Sequence, residues 1–253
     1  NDNVEVIGGA YYSNNTGLQL FGNGTLVQGA RAYNNSTGIY VSDNSSSGAG
    51  ALIEGVEVYG NSQYGLNVGT GGSAPQTVVR NNVVHGNVGS YYSAGMTISG
   101  NVLATGNAVY QNTTGISAYG SILRDNDVYE NETGVSAFGG ALVESNRVYG
   151  NTGNGIWLTT QNGGGVAGTA RSNSVYSNNV GIYGGPGTVG YSSSFVIENN
   201  LVYDNNNIAV SLANAPGSRL TNNTIYQSVG SAIEVGMVGS TAATGVSLRN
   251  NII

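Results

Sequence analysis

The sequence predicts an all-β solenoid in which each coil adds one short strand to each of three parallel sheets, and three observations carry that prediction. A tetrapeptide, Val-Tyr-x-Asn, returns at Val58, Val109, Val128, Val148, Val175 and Val202. Aligned on its tyrosine, the chain shows two aliphatic columns. It also shows two asparagine columns. With weaker copies at Tyr12, Tyr33, His85 and Tyr226, the anchors lie 21, 26, 26, 25, 19, 20, 27, 27 and 23 residues apart. A fixed motif at elastic intervals is the pattern of stacked coils joined by variable loops.

Each strand has its own justification. The first is centred six residues before the anchor, where Val27, Ile53, Val79, Leu123, Val143 and Ile197 recur. The second is centred one residue before it, at Val58, Val84, Val109, Val128, Val148 and Val175. The third follows a glycine, as in Gly38-Ile39-Tyr40-Val41, Gly65-Leu66-Asn67-Val68 and Gly155-Ile156-Trp157-Leu158. These segments alternate with period 2 and are too short for helices. A unit of 19 to 27 residues cannot bury its apolar face alone, whereas stacking joins the inward positions into one core. Asparagines three before the anchor, such as Asn126, Asn146 and Asn173, and two after it, such as Asn131, Asn151 and Asn178, flank the middle strand. Asparagine tolerates left-handed backbone and satisfies turn amides. In a column its side chain also bonds the amide of the next coil. Two ladders therefore mark two corners of a three-sided coil.

The pattern hydrophobic-x-x-Asn-x-hydrophobic-x-x-Asn-x-x-Gly-hydrophobic runs from Leu123 to Val135, and Val143 to Ile156 follows it with one extra residue. It resembles the right-handed parallel β-helix repeat family, within the pectate-lyase-like superfamily. The resemblance implies a right-handed, single-stranded parallel β-helix, and the repeat count gives about ten coils in one domain spanning residues 1–253. For function it implies a range: polysaccharide lyases, hydrolases, mannuronan epimerases, adhesins and phage fibres all share this fold. It also implies a location outside the cell or at its surface. Both ends follow the repeat without a polar cap, so a longer solenoid or end-to-end stacking with a second copy is expected.

Charge supports the same register. Five residues before the anchor the column reads Glu54, Arg80, Thr105, Arg124, Glu144, Arg171, Glu198; two before it, Arg31 precedes Glu57. Alternating signs at neighbouring coils disfavour slipped pairings, which would oppose like charges. Only 8% of residues are charged, lysine is absent and the net charge is −6, so nucleic acid is not an expected partner. The chain has no cysteine, which excludes thiolate chemistry, and no apolar run long enough for membrane insertion as a helix.

Candidate functional residues are few. His85 is the only histidine and occupies the tyrosine column. The Asp-Pro-His motif of similar epimerases is missing, and no catalytic residue is assigned. Asp125, Asp127, Glu130 and Glu132 form the one acidic concentration; calcium, which takes several carboxylate oxygens, is the cofactor they would suit. On the third strand Tyr40, Trp157 and Tyr183 point outward, with Trp157 and Tyr183 in adjacent coils. Aromatic rings suit the apolar faces of sugars, and the loops after this strand are rich in glycine, serine and threonine, which fits a neutral polysaccharide. The leading expectation is a non-enzymatic extracellular stalk, filament segment or adhesin repeat. The alternative is a carbohydrate-binding or polysaccharide-active β-helix that uses this aromatic face.

Overall fold

The computed structural model describes residues 3–44, 48–71, 74, 76–89, 93–160, 167–186, 193–238 and 241–253. Two compact units are distinguished, Asn1–Val128 and Tyr129–Ile253. Both are built in the same way, from three parallel sheets with one strand of each coil in each sheet, and no helix occurs among the described residues.

In the first unit the first sheet pairs Glu5–Ile7, Leu26–Gln28, Leu52–Glu54, Thr77–Arg80, Val102–Thr105 and Ile122–Arg124 in order. Val27, Ile53, Val79, Ala104 and Leu123 stand in one file, all fully buried. The second sheet sets Ala32, Val58, Val84 and Val109 in a second buried file. In the second unit Val143, Ala170, Ile197 and Leu220 form the first file, and Val148, Val175, Val202 and Ile225 the second. Residues some two dozen positions apart are thus nearest neighbours. The aliphatic columns of the sequence are the core.

The corners are closed by asparagine. In the first unit one ladder runs Asn35, Asn61, Asn87, Asn112, with side-chain amides linked at 3.1, 2.8 and 3.0 Å. The other runs Asn82, Asn107, Asn126 at 2.9 and 2.8 Å. In the second unit Asn131, Asn151, Asn178 and Asn205 are linked at 3.1, 2.8 and 3.1 Å. There, too, Asn146, Asn173, Asn200, Asn223 and Asn251 are linked at 3.1, 3.0, 3.0 and 3.0 Å. Each rung does more than join side chains. The Asn178 Oδ1 accepts from both the backbone N–H and the Nδ2 of Asn151, while its own Nδ2 donates to the carbonyls of Val148 and Tyr176. All of these groups lie out of water, where an unmet donor or acceptor is costly.

Two local features follow from the ladder. The left-handed backbone falls on the residue before each rung, not on the rung itself. Gly60 and Gly150 hold that position in some coils, and Asp125, Glu130, Ser145, Ser172, Ser177 and Asp204 hold it with φ near +50° in others. The glycine that opens the third strand is required by close approach. A Cβ on Gly155 would lie 2.7 Å from both the Asn178 Nδ2 and the Gly181 carbonyl oxygen. Between the third and first sheets no asparagine ladder forms among the described residues, and hydroxyls bond neighbouring coils there, as with Thr77 Oγ1 accepting from the Ala51 N–H and Ser218 Oγ from the Phe195 N–H.

Replacing Asn178 with alanine strips partners from the buried Asn151 N–H and Val148 carbonyl. A loss of about 3 kcal/mol is expected, read as a lower urea midpoint with an unchanged slope. The exposed Asn206→Ala serves as control, with a change within about 0.5 kcal/mol.

Candidate functional site

The third sheet of the second unit presents the face of interest. Its strands Thr133–Phe138, Asn154–Leu158, Val180–Gly184 and Ile208–Ala213 set Ser136, Trp157, Tyr183 and Ser211 in one outward file. Ile156 and Leu158 are fully buried on the opposite side, as is Ile182, and this alternation turns the aromatic residues outward. The Trp157 and Tyr183 rings lie 6.4 Å apart between centroids, tilted by 44°. Both are half-buried, and Gly185 lies against the Tyr183 ring. The Trp157 indole N–H donates to the Gly185 carbonyl at 3.3 Å. Burial holds the Tyr183 phenol above the ordinary tyrosine range, so it stays neutral.

Two consecutive glycines make this arrangement fit. A Cβ on Gly184 would meet Leu212 at 2.7 Å and Phe195 at 2.9 Å, and Phe195 is fully buried in the core. A Cβ on Gly185 would lie 2.5 Å from the Tyr183 ring. Nearby, the buried Ser193 hydroxyl donates to Thr160 Oγ1 at 3.1 Å, joining the loops that leave two neighbouring coils. Tyr40 belongs to the first unit, where its file neighbours are Gln19 and Asn67 and its ring meets Phe21 edge-on at 5.7 Å.

The other candidates are placed by the repeat. Tyr12, Tyr33, Tyr59, His85 and Tyr110 stack on the second sheet with centroids 4.9–5.2 Å apart and planes within 10°. His85 is therefore a rung of an aromatic stack, with Nε2 3.9 Å from Glu57 Oε1. Tyr129, Tyr149, Tyr176 and Tyr203 continue the pattern in the second unit. Arg171 Nε meets Glu144 at 2.7 Å, Arg80 meets Glu54 at 3.0 Å and Arg31 meets Glu57 at 3.1 Å. Of the four clustered acids, Asp125 and Glu130 are left-handed corner residues, Asp127 is a half-buried strand residue and Glu132 is exposed. Among the described residues no group of three or more histidine, aspartate or glutamate side chains converges to hold a metal ion.

Residues 1–103 match the family model described as the right handed beta helix region, and the second unit is built from files of the same kind. The chain is a right-handed parallel β-helix. Among solved structures, this β-helix is similar to the A-module of mannuronan C-5 epimerase AlgE4 from Azotobacter vinelandii, at 17% identity and a TM-score of 0.68, over 99% of this chain and 86% of that one. It is also similar to the Dettilon tailspike protein, at 14% and 0.68, over 96% of this chain and 54% of that one. A mutant of the periplasmic alginate epimerase AlgG follows at 13% and 0.66, over 96% and 72%. At these identities the likeness is one of fold. No curated protein sequence matches the chain.

Sequence reasoning finds the outward Trp157 and Tyr183 of the β-helix by alternation. It misses Gly185, whose doublet with Gly184 is the available signal, and the Thr160–Ser193 tie. Gly185→Ala is expected to displace the Tyr183 ring and break the indole bond. Trp157 is the only tryptophan, so its fluorescence reads the change directly: a red-shifted emission and faster acrylamide quenching. An unchanged spectrum would contradict the packing described.

Proposed function

We propose that this β-helix is a non-catalytic extracellular scaffold, serving as a stalk, filament segment or adhesin repeat. The observation that supports it most is where the outward chemistry goes. The only histidine is a rung of the aromatic stack, and Arg31, Arg80 and Arg171 each hold a carboxylate of the neighbouring coil. These four groups, which could act as general base or carboxylate clamp, are ties between coils. An extracellular place is supported by the fold shared with a tailspike and a periplasmic enzyme. No helix among the described residues is long and apolar enough to cross a membrane.

Incubation with polymannuronate, polyguluronate and pectate tests the scaffold reading. Ultraviolet absorbance would report unsaturated uronate, and anomeric proton resonances would report epimerised residues. No turnover is expected, with or without calcium. Turnover that is lost in His85→Ala would overturn the reading.

A second reading, carbohydrate binding, is favoured by one specific observation. The Trp157 indole bonds the Gly185 carbonyl and the Tyr183 ring packs against Gly185, and an aromatic pair with such partners loses less entropy on meeting a ligand. On a glycan array, binding that disappears in Trp157→Ala is the expected result. Binding indifferent to that substitution would remove the site.

A further inference from the structure

The carbohydrate-binding reading can be taken further, because in the second unit the arginines on strands all lie on the first and second sheets. In the second unit the outward charges of the first sheet are Glu144, Arg171, Glu198, Arg219 and Arg249, and the second sheet carries Arg147. The file containing Trp157 and Tyr183 holds no cation, and its neighbours on either side are Ser136 and Ser211. Glu234, paired with Ser211, is the first charge met along it. The loops that follow, Thr159 to Gly168 and Gly184 to Ser194, contain no charged residue.

Recognition of a uronate or sulfate polymer calls for arginine or lysine at the site, since carboxylates and sulfates are held by charge-assisted hydrogen bonds. Here lysine is absent from the whole chain, and the net charge of −6 repels a polyanion. The face instead offers two apolar rings, serine hydroxyls and a neutral phenol. That set matches a ligand with apolar ring faces and uncharged hydroxyl edges.

Geometry adds a direction. Trp157 and Tyr183 sit on adjacent strands, about 4.8 Å apart across a sheet, with ring centroids separated by 6.4 Å. A chain of pyranose rings laid across the strands would place successive residues on successive aromatic rings and carry its hydroxyls past Ser136 and Ser211. We propose that this face binds the interior of a neutral polysaccharide, running from coil to coil over Trp157 and Tyr183, and does not accept uronate or sulfate polymers. This proposal rests on the carbohydrate-binding reading and narrows it to one ligand class.

The test is a titration of Trp157 fluorescence with two sets of probes. One set is gluco- and manno-oligosaccharides from monosaccharide to hexasaccharide; the other is oligomannuronate, oligoguluronate and heparin, each at low and physiological salt. At least one neutral series should saturate the signal, bind more tightly as the chain grows past a single ring, and be insensitive to salt. Affinity should fall roughly tenfold or more in Tyr183→Ala, with the far-ultraviolet circular dichroism unchanged. In Trp157→Phe, which keeps a ring, calorimetry should show a smaller loss than in Trp157→Ala. Salt-sensitive binding of the anionic probes that depends on Trp157 would overturn the ligand class and leave carbohydrate binding standing. Binding of no probe in either set would overturn both.

Discussion

The hydrogen bond from one asparagine side chain to the asparagine of the next coil is the interaction on which this structure depends. Parallel strands of three residues give little cohesion alone, and each coil turns through tight corners whose backbone groups face inward. An unmet amide there costs about 1–3 kcal/mol. The rung solves this by accepting two bonds and donating onward, so every coil completes the one before it. Asn205 shows how strict the requirement is: where the next coil lacks asparagine, the longer Gln227 reaches in and accepts the same backbone N–H at 3.3 Å.

Much else in the chain is a consequence of that bond. The glycine opening each third strand is small because the rung's amide passes beside it, as at Gly38 and Gly155. Ala209 carries a Cβ in the same position and is fully buried, so the constraint is one of local space and eases in that coil. Outward positions carry no such demand. They vary: ion pairs on the first two sheets, aromatic stacking on the second, and mostly neutral polar or aromatic groups on the third. The exposed ion pairs contribute about 0–1 kcal/mol each, and their alternation of sign, as in Glu144 and Arg171, fixes register more than stability.

The architecture was legible in the sequence because stacking converts periodicity into contact. Val143, Ala170 and Ile197 are one column in the alignment and one buried file in the fold. Asn146 and Asn173, or Glu144 and Arg171, are read as neighbours from spacing alone and bond as neighbours. What lay beyond reach depended on conformation rather than spacing. Asp125 and Glu130 read in sequence only as part of an acidic concentration; spacing does not show that both stand at the left-handed corner that glycine fills in other coils. The third corner uses Thr77 and Ser218, hydroxyls too scattered to form a visible column. Trp157 reads as outward by alternation and is outward, but the carbonyl its indole N–H meets belongs to Gly185, just after the strand of the next coil, where no repeat marks it.

The side-chain amide protons of the ladder test this account most directly. Nuclear magnetic resonance can follow their exchange with solvent deuterium beside that of exposed asparagines such as Asn15 and Asn206. If the rungs close the coils, the Nδ2 protons of Asn151, Asn173 and Asn178 will exchange as slowly as the backbone amides of the strands beside them, and only through global unfolding. Exchange of those protons at the rate of Asn15 and Asn206, while the strand amides stay protected, would show that the sheets hold together without the ladder.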